Sequence, residues 1–546
     1  MKGSGSSFTA KAGAAVLLAA LADWLFYGQW VGATLGVFAL AWALVVILAL
    51  PSLRRRGGAL FAAFAAILFA VALIDNPTPL AWGLFWVAVS SAALLSRARF
   101  GDAFRWFERL VLHIGFGTVR LFADLFRFVR IRGPRRGPSL AATASILVLP
   151  VVGGAMFLAL FASANPLIAD VFNRITIPSP VSSIPHLIVF AFVLFGVWPS
   201  LRPHPRVTGT ELGAVSLEGL MPSFPAATVA LSLLTFNAVF ALQNVLDIIF
   251  LWSGARLPGT ITMADYAHRG AYSLIATVLV SALFVLTVLR AGSPAARNPA
   301  IRLLVALWIA QNLLLVASSI LRTLDYIDSY SLTVMRIAAL GWMGLVGVGL
   351  VLICWRLLAG RSAAWLINAN ALAAGLALAA ACAVDLPAVA AGWNVRHARE
   401  AGGPGQPIDL CYLRSQGPSA LLPLIELETR VTDPGLRDRV RAIREEVMAV
   451  AVEAQSDWHA WTWRGARRLA AAQAALGPNP AHSVDMLWGR HCNGAPVAEY
   501  GPDPDPATMN VPTGEEGSAP AEASPPSPAA PSRDEPRPAR ESEPDR

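Results

Sequence analysis

Residues 237–272 read NAVFALQNVLDIIFLWSGARLPGTITMADYAHRGAY, and the class of the whole chain turns on them. An apolar helical run carries Asn237, Gln243, Asn244 and Asp247 and ends at Trp252. A short loop with Arg256 and Pro258 follows, and Asp265, Tyr266, His268 and Arg269 then open a second apolar run. Long apolar runs joined by short polar links are the pattern of membrane-spanning helices, because lipid offers no partner to an unpaired backbone group. No other part of the chain sets so many ionisable groups at the edge of a hydrophobic segment.

Composition extends this reading to the full 546 residues. The chain is 55% hydrophobic and 14% charged, with mean hydropathy +0.54. A soluble domain carries about 25% charged residues, so a polytopic all-α transmembrane protein is expected. The net charge of +8 is almost wholly arginine, since Lys2 and Lys11 are the only lysines. In a membrane protein such charge gathers in cytoplasmic loops and meets anionic lipid, and no nucleic-acid-binding motif is present. Richness in Arg, Ala, Gly and Pro points to a bacterial genome of high GC content.

Eleven apolar segments stand out, at roughly 11–27, 30–50, 58–74, 79–95, 140–162, 184–201, 225–251, 269–290, 302–321, 333–355 and 363–384. Asp23, Trp24 and Tyr27 occupy places where signal cleavage needs small residues, so the first segment is read as an uncleaved helix. With the N-terminus inside, the inner loops collect Arg54, Arg55, Arg56, the basic run from Arg97 to Arg136, Arg202, Arg206, Arg290, Arg297, Arg302, Arg356 and Arg361. The outer loops hold only Arg174, Arg256, Arg269 and Arg322. This asymmetry orients the chain in a bacterial inner membrane with a cytoplasmic N-terminus, and an odd helix count then leaves the C-terminal part in the periplasm.

Five parts follow: a four-helix transmembrane part over 1–96, a basic interfacial segment over 97–139, a main bundle of about seven helices over 140–384, a helical extracytoplasmic domain over 385–500, and a disordered tail over 501–546. In the second part Phe100, Phe104, Phe107, Val111 and Ile114 recur at helical spacing, as do Phe122, Leu125, Phe126 and Val129 beyond Gly115 and Gly117. Two amphipathic helices lying on anionic lipids at the inner face are expected. The tail is Pro-, Glu- and Ser-rich and too poor in bulky apolar residues to offset the entropy of ordering.

Polar groups inside membrane helices are costly, at about 2.5 kcal/mol or more for a central charge, so each needs a role. Asn237 and Asn244 share one helix face, with Asp247 a turn beyond. For the amides, interhelical hydrogen bonding is preferred to a solute cleft; for Asp247 both readings stand. Asp265 falls where an N-cap carboxylate belongs, and Arg269 opposes the dipole of the helix it opens, which calls for a carboxylate partner in Asp247 or Asp265. His268 is the side chain there with a pH-sensitive range. A second group, Arg322, Asp325, Tyr326, Asp328 and Arg336, surrounds the next outer loop, after Gln311 and Asn312. The hypothesis is one outward-facing vestibule lined by Asn237, Asn244, Asp247, Arg256, Asp265, Tyr266, His268, Arg269, Arg322, Asp325 and Arg336. Cys411 and Cys492 fall in the outer domain, where the compartment permits a disulfide between them.

Short pieces of the chain resemble a bacterial polytopic membrane family known as a domain of unknown function, number four-one-seven-three. They are ADWLFYG (22–28), ASANPL (162–167), FALQNVLDIIFLW (240–252) with YAHRGAY (266–272), WNVRHARE (393–400), IDLCYL (408–413) and WTWRGAR (461–467). The resemblance spans roughly 12–475 and implies an integral membrane protein, with no catalytic residues to carry over.

HExxH, GxSxG, a Walker loop and CxxC are all missing from the sequence, and no metal or cofactor site is expected. The leading reading is a non-enzymatic envelope scaffold, accessory or sensor-like component, with an envelope protein as partner of the C-terminal domain. A transporter or channel using the vestibule is the alternative, and a membrane-embedded enzyme for lipid or cell-wall precursors is the weaker one.

Overall fold

Capping chemistry marks where the apolar runs begin. Thr78, Asn298, Thr333, Ser362 and Asp385 each accept a hydrogen bond from a backbone amide in the first helical turn that follows. Pro79 and Pro299 sit just inside two of these starts, where a missing N–H costs nothing. In a computed structural model, residues 8–132, 183–204, 207, 225–252, 280, 298–483 and 491–495 are described, and all regular elements among them are helical.

The helices fall into three packed groups. The first comprises α1 (Phe8–Phe26), α2 (Thr34–Ala49), α3 (Gly57–Asp75), α4 (Pro79–Leu95), α5 (Ala103–Arg132) and α6 (Ser183–Leu201). Its core joins Leu18, Phe38, Trp42, Phe85, Trp198 and a row of alanines on α3. Small residues permit close approach here: a Cβ on Gly36 would lie 2.6 Å from the Ala70 carbonyl oxygen. The second comprises α7 (Ala226–Asp247), α8 (Pro299–Tyr330), α9 (Val334–Ala359) and α10 (Ala363–Ala383), around Leu233, Trp308, Ile309 and Leu350. The third comprises α11 (Leu386–His397), α12 (Leu410–Ser415), α13 (Leu421–Arg430), α14 (Pro434–Ser456) and α15 (Trp463–Leu476), around Val395, Leu413, Leu424, Leu427 and Val440.

Seven of these helices, α1, α3, α6, α7, α8, α9 and α10, are long and apolar enough to cross a membrane, which makes this a multi-pass membrane protein. The expected eleven spans are thereby corrected among the described residues. At 1.5 Å per residue the 16 residues of α2 and 17 of α4 reach only about 24–26 Å, short of a hydrocarbon core of about 30 Å. The expected segments at 140–162 and 269–290 lie outside the described residues, apart from residue 280, as does the expected tail.

The basic segment departs from its expectation. α5 is one 30-residue helix rather than two. Gly117 does not break it; it lets α6 approach, since a Cβ there would meet Pro199 Cγ at 2.5 Å. Trp106, Leu110, His113 and Asp124 are buried against the bundle, while Phe104, Phe107, Val111, Ile114 and Val119 are exposed.

The two ends of the helix assembly differ. At one end the third group docks. The Ala33 amide donates to the Trp461 carbonyl at 2.7 Å, and Arg464 and Arg467 pair with Asp75 at the C-terminus of α3 at 2.6 and 2.7 Å. Asn394 exchanges two hydrogen bonds with the Leu332 backbone, at 2.7 and 2.9 Å. At the opposite end lie Lys11, the Arg54–Arg56 turn, Arg97, Arg202, Arg302 and Arg356. There Arg56 donates to the Ala98 carbonyl at 3.0 Å, Arg302 donates to the Leu357 carbonyl at 3.1 Å, and the Ala103 amide donates to Asn368 Oδ1 at 2.8 Å. These ends are called the domain face and the basic face below.

Candidate functional site

The buried face of α7 runs Val229, Leu233, Asn237, Phe240, Asn244, Asp247, a spacing of three and four that turns one stripe toward α8. Half of that stripe is polar. Leu231, Leu234, Val239, Leu242 and Val245 point away and are exposed. The helix widens into a π-helical turn at Ile248–Trp252, and Trp252 Nε1 donates to Ser318 Oγ at 3.1 Å.

The polar stripe forms a seam with α8. Asn237 Nδ2 donates to the Leu233 carbonyl at 2.8 Å and the Leu304 carbonyl at 3.0 Å, and its Oδ1 accepts from Gln311 Nε2 at 2.7 Å. Asn244 Nδ2 donates to the Gln311 carbonyl at 3.3 Å. Asp247 is fully buried, accepts from Gln243 Nε2 at 2.9 Å and is ion-paired with Arg322, itself 4% exposed. Losing one member of a buried pair costs about 3–5 kcal/mol, against about 0.6 kcal/mol for an average interhelical hydrogen bond in a membrane protein. The ion pair therefore outranks the amides in fixing how α7 meets α8.

Three acceptors in the seam, Asn244 Oδ1, Gln311 Oε1 and Asn312 Oδ1, are buried with no hydrogen-bond partner among the described residues. Among those residues no group of three or more His, Cys, Asp or Glu is placed to hold a metal. The seam thus pairs one carboxylate with one guanidinium and adds amides; it brings no nucleophile up to a base.

The expected vestibule divides. Asn237, Asn244, Asp247 and Arg322 come together. Arg336 does not join them: it donates to the Tyr330 carbonyl at 2.6 Å and to the Ser331 carbonyl and lies over the Tyr326 ring at 4.4 Å, closing the end of α8, where Ser331 has φ 68°. Asp325 is half-buried and makes no side-chain hydrogen bond or ion pair with Asp247 or Arg322 among the described residues. Arg256, Asp265, Tyr266, His268 and Arg269 lie outside the described residues. Of the two carboxylates expected as partners of Arg269, Asp247 is paired with Arg322 of α8, and Asp265 lies outside the described residues.

Other constellations had no local signal. Asp23 lies 2.8 Å from His186 Nδ1, which stacks on Tyr27, joining α1 to the start of α6. Asp385 caps α11 and also pairs with Arg468 of α15. The Val334 amide donates to the Tyr412 hydroxyl at 3.2 Å, and burial pushes that phenol above its ordinary range. Cys411 and Cys492 are joined as a disulfide across 81 residues of chain, tying residues 491–495 to α12. Each of these links residues far apart in sequence, so periodicity alone carries no trace of it; of the four, the disulfide alone was raised by the sequence, from the shared placement of its two cysteines.

No curated protein and no solved structure matches the chain. A family model does, described as Domain of unknown function (DUF4153), over residues 59–427. It replaces the differently numbered family expected from the short sequence pieces, and it leaves ADWLFYG (22–28) and WTWRGAR (461–467) outside the matched region. The matched region takes in more than half of the 546 residues and includes the α7–α8 seam; the chain belongs to the DUF4153 family.

Proposed function

We propose that this protein is a non-enzymatic membrane scaffold or accessory subunit that holds helices α11–α15 as a rigid platform outside a bacterial inner membrane. The observation that carries the reading is the way the platform is fastened. Asp75 of α3, Asp385 after α10, the start of α2 and the turn after α8 each bind it through separate ion pairs or hydrogen bonds. A group tethered at four helix ends moves with the membrane part, which suits presentation of a fixed surface to an envelope protein. Positive charge on the opposite face favours a cytoplasmic basic face and a periplasmic platform. The Cys411–Cys492 disulfide suits an oxidising compartment.

Mass measurement on protein extracted in native lipid discs tests this. The expected result is a defined assembly with a second polypeptide in fixed ratio, lost when Arg464 and Arg467 are both changed to Ala. A wild-type protein that is found alone in the disc contradicts it.

One observation favours a second reading, passage of a small solute or ion. The unpartnered acceptors of Asn244, Gln311 and Asn312 among the described residues are groups that a dehydrated cation or polar solute would seek. Under that reading Asn244→Cys reacts with a membrane-impermeant thiol reagent in intact vesicles; under the scaffold reading it stays unreactive.

A further inference from the structure

Four cations from four separate parts of the chain meet at the basic face around a single carboxylate. Asp124 of α5 is buried; it accepts from Trp198 Nε1 at 3.2 Å and pairs with Arg202 at 2.9 Å and Arg120 at 3.4 Å. The Pro203 carbonyl oxygen accepts from both Arg120, at 2.8 Å, and Arg97, at 3.4 Å, so these two guanidinium groups flank one atom. Lys11 of α1 is 8% exposed, donates to the Leu201 carbonyl at 3.2 Å and lies within Coulombic reach of Arg97, Arg120 and Arg202.

The charges do not balance. Lys11, Arg97, Arg120 and Arg202 set against Asp124 leave an excess of three positive charges. Partial burial and then the Arg202 charge push the guanidinium groups of both Arg97 and Arg120 below their ordinary range, the sign of cations crowded together. Most of the donors are unspent among the described residues: Lys11 uses one of three, and Arg97 one of five. Arg97 is exposed and Lys11 is buried, so the cluster runs from the surface inward. On the side turned away from Asp124, α5 exposes Phe104, Phe107, Val111, Ile114 and Val119, the apolar surface that an interfacial helix sets at the level of acyl chains.

We infer that Lys11, Arg97, Arg120 and Arg202 form a binding site for a phosphate group, that of an anionic phospholipid of the leaflet at the basic face. Asp124 holds Arg120 and Arg202 in place by charge-assisted bonds, and the remaining donors meet the phosphate oxygens. The inference is independent of the scaffold reading.

Native mass spectrometry and lipid titration of the full-length protein in neutral detergent test it. The probes are phosphatidylglycerol, phosphatidylcholine and inorganic phosphate. Arg97 is exposed and bonds only one backbone carbonyl among the described residues, so Arg97→Gln leaves the fold intact; it should weaken phosphatidylglycerol about tenfold, one charge-assisted contact's worth. Arg97→Gln combined with Arg120→Gln should weaken it by about a hundredfold. The control Arg54→Gln with Arg55→Gln, on the same face but outside the cluster, should leave affinity unchanged. Binding of inorganic phosphate as tight as that of the lipid, with the same loss in Arg97→Gln, keeps the phosphate site and assigns it to a free anion. Equal affinity for phosphatidylglycerol and phosphate in wild type, Arg97→Gln and the control pair overturns the inference.

Discussion

His113 shows how one side chain can report on packing at the basic face. It lies on the bundle side of α5, 1% exposed, and neither ring nitrogen has a hydrogen-bond partner among the described residues. Burial pushes it from 6.5 down to about 4. The folded protein holds the neutral ring, so its contribution is full above pH 6.5 and is lost as pH falls from there through about 4. The slope is up to about 1.4 kcal/mol per pH unit in that window. Thermal unfolding in detergent should therefore fall more steeply between pH 7 and 5 for wild type than for His113→Leu, and parallel pH profiles would contradict this. At Asp247, truncation to Ala should cost about 3–5 kcal/mol by removing the buried counter-charge of Arg322, while Asp247→Leu with Arg322→Met should recover most of the loss; chemical denaturation of the three proteins checks the order. The polar stripe of α7 was legible because the spacings of 237, 244 and 247 put all three residues on one helix face. Its pairing with Arg322 was not, because that contact depends on how α8 is rotated against α7. The basic cluster left no sequence signal, because residues 11, 97, 120, 124 and 202 share no period.

Among the elements, α5 separates what composition decides from what packing decides. Its amphipathic character follows from the recurrence of Phe104, Phe107, Val111 and Ile114, all exposed, with Trp106, Leu110 and His113 buried on the other side. Gly115 and Gly117 suggested a break. The helix continues through them because a glycine in a helix costs only about 1 kcal/mol, and close contact with Pro199 of α6 outweighs that. Gly117→Ala should accordingly destabilise rather than stabilise, by about 1–3 kcal/mol, because the facing atoms belong to a proline ring with little freedom to move aside. Gly115, where a Cβ would meet nothing within 4 Å, is the matched control, and Gly115→Ala should stabilise slightly. Melting temperatures moving in opposite directions for the two variants is the expected outcome. The same contrast explains two of the four spans by which the count differs: hydropathy finds apolar runs, whereas crossing needs length, and α2 and α4 are short.

Across the whole molecule, helical class and multi-pass character were readable from charge content and apolar run length, while α11–α15 pack around a hydrophobic cluster of their own. What joins that group to the membrane part was not, since Asp75 with Arg464 and Arg467 spans nearly four hundred residues of sequence. The proposed sidedness can be argued from contacts instead of a helix count. The contacts of Lys11, Arg56 and Ala103 put the start of α1 and the arginine-rich turns at one end, and those of Ala33, Asp75 and Leu332 put α11–α15 at the other. The central claim is that these two ends face opposite compartments, with the platform outside. The most direct measurement is labelling with a membrane-impermeant maleimide in intact and lysed cells, with Cys354 and Cys382 replaced and single cysteines placed at exposed Ser52 on the basic face and exposed Asn479 beyond α15. The account predicts that Asn479→Cys labels in intact cells and Ser52→Cys only after lysis. Labelling of both positions from the same side, or of Ser52→Cys alone in intact cells, would contradict it.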